Sequence, residues 1–165
     1  MTKEEFCNQV LAVESSMYRM AKSILKKDED CADVIQNAIL KAYSNLGRLQ
    51  KTESFKAWIT RIVINESYLH IRKTSKYVSL EDYPGWEASL TTAEQERPEE
   101  SPVLQELLKL DEKYRIPIVL QVIEGYSVKE ISKMLHLSET NVRNRVFRGK
   151  RELRKRLEGE RYDVG

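Results

Sequence analysis

Residues 125–157, GYSVKEISKMLHLSETNVRNRVFRGKRELRKRL, decide which fold the sequence predicts. Ser127 and Glu130 have the spacing of a capping box, so a helix is expected to begin there, after Gly125 ends the preceding one. Ser138 can cap a second, longer helix after a tight turn. Two helices joined in this way form a helix-turn-helix.

The second helix of this pair has two different sides. Val142, Val146 and Leu153 recur at helical spacing and form an apolar side. The opposite side carries guanidinium groups, an amide, a hydroxyl and an aromatic ring, which contact base edges and phosphates in duplex DNA. Its members are Thr140, Arg143, Asn144, Phe147, Arg148 and Arg151. A basic helix that only faces water is the alternative, but the crowding of arginine and lysine in this segment favours DNA binding.

Composition limits the possible function classes. The chain has 165 residues, enough for one domain or two small ones, and a formal charge of only +2. Affinity for nucleic acid must therefore come from local clusters of charge. Cys7 and Cys31 have no partner pattern and are expected to be packing residues in a reducing compartment. His70 and His136 stand alone and no apolar run is long enough to span a membrane, so we expect no metal, no cofactor and a cytoplasmic location.

Three helices are expected in the first half of the chain. Apolar residues recur at helical spacing over residues 6–24. A second helix is expected at about 31–46, with the acidic residues 28–30 near its start. Ser54 can cap a third helix that runs to about residue 73.

The third helix also has two sides. Its predicted core side consists of Phe55, Ile59, Ile62 and Leu69. The other side carries aromatic rings beside cations and an amide. Proteins bind single-stranded nucleic acid with such groups, because the rings stack on unpaired bases and the cations contact phosphates. That side consists of Arg61, Asn65, Tyr68 and Arg72, with Trp58 at its edge. The alternative is that the two rings are core-edge aromatics with arginines lying over them. Ile64 and Ile71 form a further apolar strip, which another helix or a partner could cover.

Residues 75–101 interrupt the helical pattern. The segment contains Pro84, Gly85 and Pro98 and is rich in acidic residues, as is typical of a linker. Pro102 after Ser101 predicts a new helix, and Pro117 predicts a kink or a late start in the helix that follows. We therefore predict an all-α fold: two small helical domains, residues 1–74 and 102–165, joined by a flexible acidic linker at 75–101.

Five stretches, in order, resemble the extracytoplasmic-function (ECF) sigma factors, the compact class of sigma-70-type RNA polymerase initiation subunits. MYRMAKSIL, DEDCADVIQNAILKAY and FKAWITRIVINESYLHIRK resemble sigma region 2 of this family. LDEKYRIPIVLQVIEGYSVKEIS and LSETNVRNRVFRGKRELRKRL resemble its region 4. Together they cover most of the chain outside the linker.

The resemblance implies roles for residues in the first domain, a bundle of three or four helices. The second helix is expected to bind the clamp of the largest subunit of core RNA polymerase through Asp33, Gln36 and Asn37. The third helix is expected to bind the minus-ten promoter element and to hold a flipped base at Asn65. The other residues expected at this element are Trp58, Arg61, Tyr68, Arg72 and Lys73.

The resemblance also implies that the last domain reads the minus-thirty-five element in the major groove and contacts the flap of the second-largest polymerase subunit. The expected reading positions are Arg143, Asn144, Phe147 and Arg148, with Arg145 and Arg151 on phosphates; Thr140, from the helical pattern, is also expected at this element. Such proteins are commonly inhibited by an anti-sigma factor, often membrane-anchored, in response to signals such as envelope stress. The implied mechanism is binding and DNA melting, with no catalysis and no small-molecule substrate.

Two other classes of function compete with this interpretation. An ordinary transcription regulator would bind duplex DNA without polymerase and would use its N-terminal helices for dimerisation or ligand binding. A dimerisation helix has no need of the Trp, Tyr, Asn and Arg side chains of residues 55–73. An enzyme acting on nucleic acid would be expected to show a P-loop, metal-ligand spacing or a nucleophile elbow, and we find none of these motifs.

Overall fold

The computed structural model describes residues 1–49, 54–77 and 102–163, and the regular structure in these ranges is entirely helical. The helices are α1 (Lys3–Leu25), α2 (Asp28–Ser44), α3 (Phe55–Tyr77), α4 (Pro102–Leu108), α5 (Glu112–Ile118), α6 (Val128–Leu135) and α7 (Glu139–Asp163), with a 3-10 turn at Leu46–Arg48 and a π-helical segment at Val119–Ile123. The predicted all-α fold is confirmed. The chain divides into two compact units, Met1–Gln95 and Glu96–Gly165, which are described separately below.

Local signals account for the helix ends in both units. The capping boxes of α1 and α6 are both present, the first between Thr2 and Glu5 and the second at the predicted Ser127. The Ser54 hydroxyl accepts from the amide of Ala57, as expected of a cap. The second helix begins at Asp28 and ends at Ser44, earlier at both ends than predicted, because the acidic residues form its first turn. The third helix runs past the predicted domain end at residue 74, and most of the predicted linker lies outside the described residues.

The first unit is a bundle in which α1, α2 and α3 all pack against one another. Its centre is formed by fully buried side chains from each helix, among them Met17, Met20, Ala38, Ile59 and Val63. Cys31 belongs to this core, as predicted, whereas Cys7 is exposed, so the prediction that both cysteines pack inside was wrong for Cys7.

The buried side of α3 differs from the predicted one. Ile59 is buried as expected, but Ile62 and Leu69 are only half-buried, while Val63, Thr60 and Ser67 are fully enclosed. A hydroxyl can be buried here because it bonds to the helix itself: Ser67 Oγ donates to the carbonyl of Val63 at 2.7 Å. Both α1 and α2 cover α3, which also explains why Ile64 is buried. Packing inside the bundle therefore accounts for Ile64.

The second unit is built around a cluster of Leu107, Leu110 and Ile118, against which Ile123 and Leu153 pack. Pro117 lies inside α5 rather than at its start, which excludes the late start among the two predicted outcomes, a kink or a late start. The helix changes to π-helical geometry directly after α5, over Val119–Ile123.

Gly125 then ends the π-helical segment with a φ of +79°, the left-handed conformation predicted for it. The amide of Tyr126 closes this end by donating to the carbonyl of Leu120 at 2.9 Å.

Candidate nucleic-acid and protein interfaces

The turn between α6 and α7 is closed by several local hydrogen bonds. His136 adopts a left-handed conformation with a φ of 57° and caps α6 through its amide on Ser132. The Ser132 hydroxyl donates to the carbonyl of Leu137, and the amide of Leu137 donates back to the Ser132 carbonyl at 3.1 Å. Ser138 accepts from the amide of Asn141 at 3.1 Å, which confirms the predicted cap of α7. These bonds fix the direction in which α7 leaves the turn.

The two predicted sides of α7 are present in the structure. Val142 and Val146 are buried against the rest of the second unit, and Leu153 is half-buried. The opposite side, called the α7 face below, is exposed at every predicted position: Thr140, Arg143, Asn144, Phe147, Arg148 and Arg151. Arg143 lies 3.8 Å from Glu139 in an exposed i,i+4 pair, which restrains it only weakly. The α7 face thus combines base-reading and phosphate-binding groups on one side of a capped helix.

Arg145 lies apart from the α7 face. Its side chain is half-buried, and its Nε donates to Asn141 Oδ1 at 2.9 Å along the flank of the helix. The sequence prediction grouped Arg145 with the phosphate contacts, and the structure places it on a different side of α7 from the other predicted residues. Its assignment to DNA stays a prediction.

Gly149 is a position whose importance the sequence analysis missed. It is buried where α7 crosses α5, and a Cβ built on it would lie 2.3 Å from Ile118 Cδ1 and 3.0 Å from Tyr114 Cβ. The absence of a side chain therefore sets how closely these helices approach. The available signal was a glycine in a helix interior, where it lowers helix stability and is often kept for close packing.

The predicted single-strand side of α3 is only partly accessible. Asn65 and Arg72 are exposed, and Arg61 and Tyr68 are half-buried beside them. These four residues, called the α3 strip below, lie on one side of the helix because they are spaced by three or four positions. Lys73 is exposed but follows Arg72 directly, so it points to a different side.

Trp58 does not extend the α3 strip as an accessible ring. Its side chain is only 8% exposed, and its ring centroid lies 5.9 Å from that of Phe55 in the core of the first unit. Phe55 in turn stands edge-on to Phe6 at 5.8 Å. Burial of this kind favours the alternative in which Trp58 is a packing residue, and its role at DNA stays a prediction.

The outer side of α2 carries the three residues expected to bind polymerase. Asp33, Gln36 and Asn37 are all exposed, while Val34, Ala38 and Ala42 of the same helix are buried. Leu40 lies on the same outer side with 66% of its surface exposed, a residue that the sequence analysis did not identify. Together these residues form an accessible surface on α2.

An ion pair and a second polar contact connect α2 to α3. Lys41 pairs with Glu66, a buried carboxylate that the hydrophobic pattern of α3 did not explain. The Nε2 atom of His70 lies 3.2 Å from a carboxylate oxygen of Asp30, near the other end of α2. The outer side of α2 and the α3 strip therefore belong to helices that are joined at two points.

Two features are absent from the described ranges. No group of three or more His, Cys, Asp or Glu side chains in them is placed to hold a metal ion. None of the helices in the described part of the chain has the length and apolar character needed to cross a membrane.

Comparison with protein families gives two matches that follow the two units. Residues 10–77 match sigma-70 region 2, and residues 101–153 match sigma-70, region 4. Among curated proteins, the ECF RNA polymerase sigma factor SigW of Bacillus subtilis is 29% identical over 94% of this chain and 90% of its own length. The RNA polymerase sigma-H factor of Pseudomonas aeruginosa is 27% identical over 94% of this chain and 88% of its own.

Solved structures share the fold. The sigma factor RpoE of Bartonella quintana, in complex with the anti-sigma factor NepR, superimposes with a TM-score of 0.76 at 21% identity, covering 94% of this chain and 98% of that one. CnrH, in complex with the cytosolic domain of CnrY, gives a TM-score of 0.68 at 24% identity, covering 96% of this chain and 90% of that one.

Proposed function

The chain belongs to the ECF class of RNA polymerase sigma factors, and on this premise we propose that α2 binds core polymerase while α3 and α7 bind the two promoter elements. The chain acts by binding core polymerase and promoter DNA and by melting the DNA, and polymerase supplies the catalysis. The observation that carries the proposal is that each family match contains one capped helix with an exposed side of base-reading groups.

The α3 strip binds the opened strand of the minus-ten element. Asn65 is exposed and holds a flipped base, while Arg61, Tyr68 and Arg72 contact neighbouring bases and phosphates. Melting costs about 1.4 kcal/mol per base-pair step, and each base stacked on a ring returns roughly 1–3 kcal/mol. One half-buried ring can therefore offset only part of the cost, and polymerase contributes the rest.

The α7 face reads the minus-thirty-five element as a duplex. Arg143 and Arg148 can each bind a guanine edge with two hydrogen bonds, and Asn144 can do the same with adenine. Arg151 lies further along the helix and binds phosphate, which supplies affinity without sequence preference. Joining two modest DNA-binding units in one chain raises the effective concentration of the second once the first is bound.

The outer side of α2 binds the clamp of the largest polymerase subunit through Asp33, Gln36 and Asn37, and the second unit contacts the flap of the second-largest subunit. The exposure of these three residues and of the neighbouring Leu40 makes this side of α2 accessible to a partner. An exposed apolar side chain costs the free chain little and gains free energy when a partner covers it.

An anti-sigma factor controls the chain by covering its polymerase-binding surfaces. The support comes from RpoE of Bartonella quintana, which has this fold and was solved in complex with the anti-sigma factor NepR. A membrane-anchored inhibitor would hold the chain at the membrane and release it into the cytoplasm under envelope stress.

The test is reconstituted transcription with purified core polymerase, the full chain and a promoter library. Run-off transcripts are expected only when the chain is present, and their sequences define the two recognition elements. Asn65→Ala should lower transcription by disrupting minus-ten recognition, and Arg148→Ala by relaxing one position of the minus-thirty-five element. Asn8→Ala and Arg156→Ala are matched controls, since both residues are exposed and lie off the two surfaces.

Failure of this test has a specific meaning. If no transcripts depend on the chain, while the chain alone binds duplex DNA tightly and sequence-specifically, the proposal is wrong. An ordinary helix-turn-helix regulator would then explain the data. Equal losses in the control variants and in Asn65→Ala and Arg148→Ala would contradict the assignment of the two surfaces.

A further inference from the structure

The helix α7 continues beyond the part of the chain that matches a known family. The match to sigma-70, region 4 ends at residue 153, whereas α7 runs to Asp163. Residues 154–163, called the α7 extension below, take no part in the contacts proposed above. Leu153 packs against the core cluster of the second unit, and Leu157, one turn later, is still half-buried. The packed side of α7 therefore fixes which way the first side chains of the α7 extension point.

Arg154 continues the α7 face by one more turn. It follows Phe147 by seven residues and Arg151 by three, so the three side chains lie on the same side of the helix. Arg154 is exposed, without an ion pair or hydrogen bond to any residue that the structure describes. Lys155 is also exposed, and its pair with Glu152 at 3.8 Å restrains it only weakly. The cationic side of α7 is therefore longer than the predicted contact positions.

Two neighbours mark the limits of this cationic side. Glu158 is exposed one turn after Arg154 on the same side, and its carboxylate would repel a phosphate, so the row of cations ends at Arg154 and Lys155. Arg156 is exposed as well, but two residues correspond to a rotation of about 200°, so it points away from Arg154. The two arginines thus have the same charge and exposure at one end of the helix and lie on opposite sides of it.

Helix geometry brings Arg154 to the border of the groove that α7 is proposed to enter. At 1.5 Å per residue, Arg154 lies about 16 Å along the axis from Arg143, whereas the major groove is about 12 Å wide. In a helix-turn-helix the N-terminal residues of the second helix contact base edges. A side chain so far along the helix then meets phosphates rather than bases. A guanidinium group suits this position because it can donate to two phosphate oxygens at once.

We propose that Arg154, with Lys155 beside it, binds the phosphate backbone at the border of the minus-thirty-five element. Phosphates carry no sequence information, so this contact adds affinity and fixes the position of α7 without reading a base. It belongs to the α7 extension, outside the part of the chain that matches region 4. The inference rests on the proposed function, since it assumes that α7 lies in a major groove of promoter DNA.

The first test is the salt dependence of promoter binding. Reconstituted holoenzyme is titrated with promoter duplex between about 50 and about 200 mM salt. One lost phosphate contact should reduce the slope of log K against log salt concentration by about 0.9 in Arg154→Ala, which makes the loss of affinity about three- to fourfold greater at the lower salt. Arg154→Lys should keep most of the slope. Arg156→Ala removes the same charge from the opposite side and should leave the slope nearly unchanged.

Neutral phosphates locate the contact on the DNA. The duplexes carry a single methylphosphonate at successive positions along both borders of the element, which removes one charge at a time. The original chain and Arg156→Ala should lose affinity at one or two positions to which Arg154→Ala is insensitive, because the paired contacts are not additive. Thermal melts of both alanine variants should match that of the original chain, since both side chains are exposed.

Several results would overturn the inference while leaving the proposed function intact. They are an unchanged salt slope in Arg154→Ala, equal reductions in Arg154→Ala and Arg156→Ala, and methylphosphonate losses that persist in Arg154→Ala. Weaker assembly with core polymerase, or weaker inhibition by an anti-sigma factor, at an unchanged salt slope would identify a protein contact instead. Absence of any promoter complex with the original chain would count against the proposed function itself.

Discussion

The two helices proposed to bind promoter DNA, α3 and α7, expose their predicted functional residues in different ways. In α3, packing against both α1 and α2 buries side chains on a wide part of the helix, including the polar residues Thr60, Glu66 and Ser67. In α7, a narrow stripe that includes Val142 and Val146 is buried, and the broad α7 face stays open. A narrow strip suits single bases drawn out of a duplex, whereas a broad convex face suits a major groove.

The largest effect should come from the point where α7 meets α5. Gly149→Ala places a methyl against Ile118 and Tyr114, whereas Gly159→Ala makes the same change on the same helix with no atom within 4 Å. Overpacking outweighs the gain in helix propensity at the first site, while the second site gains about 0.5–1 kcal/mol. We expect the free energies of unfolding of the two variants to differ by about 2–3 kcal/mol in chemical denaturation.

This comparison also tests whether the α7 face depends on the close approach of α5. Gly149→Ala should weaken minus-thirty-five binding because α7 must shift, and should leave binding of minus-ten single strands unchanged. Equal stability of the two alanine variants would show that the close approach at Gly149 can relax freely.

The next effect concerns the ring in the α3 strip. Tyr68→Leu should weaken binding of holoenzyme to a forked, single-stranded minus-ten probe by about 1–2 kcal/mol, the lower part of the range for a stacked base because Tyr68 is half-buried. Tyr68→Phe keeps the ring and should bind nearly as well. Neither variant should change binding to a minus-thirty-five duplex. Equal losses in both variants would point to the hydroxyl rather than to stacking.

The capping boxes allow the same change to be compared in both units. Ser127→Ala should destabilise the second unit by about 1 kcal/mol, because α6 has only 8 residues and begins the helix-turn-helix. Thr2→Ala should cost about 0.5 kcal/mol, since it caps the exposed end of a 23-residue helix. Thermal unfolding followed by circular dichroism measures both. A larger loss for Thr2→Ala would mean that the end of α1 contributes more to its bundle than burial indicates.

The smallest effect is expected from Arg151 and is best seen in salt dependence. Arg151→Ala should reduce the slope of log K against log salt concentration by about 1, uniformly across promoter sequences. Arg148→Ala should instead change sequence preference. A sequence-dependent loss in Arg151→Ala would place this residue on a base edge.

The caps and the exposed surface of α7 could be predicted from sequence because the signals for them are local. Ser127 and Ser138 cap the two helices as predicted, and the apolar and polar sides of α7 follow helical spacing except at Arg145. The buried side of α3 could not be predicted in the same way. Ser67 can be buried because its hydroxyl donates to the carbonyl of Val63 in the same helix. Glu66 can be buried because it pairs with Lys41 of α2.

The features of Trp58 and Gly149 could not be predicted because they depend on residues that are distant in the sequence. Trp58 has the composition of a stacking residue, and only the positions of Phe55 and Phe6 show that its ring is enclosed. Pro117 predicts a disturbed helix, but the sequence does not specify the form of the disturbance, a π-helical segment directly after α5. The close packing at Gly149 is likewise not specified, because its neighbours lie on α5.

The polar contacts between α2 and α3 have a mechanical consequence. The Lys41–Glu66 ion pair and the close approach of His70 to Asp30 lie near the two ends of α2, so α2 and α3 are expected to move together. If polymerase binds the outer side of α2 as proposed, its contact with α2 would also help to position Asn65 on α3. Under the proposed function, loose binding of α2 would then misplace Asn65 relative to the opened strand.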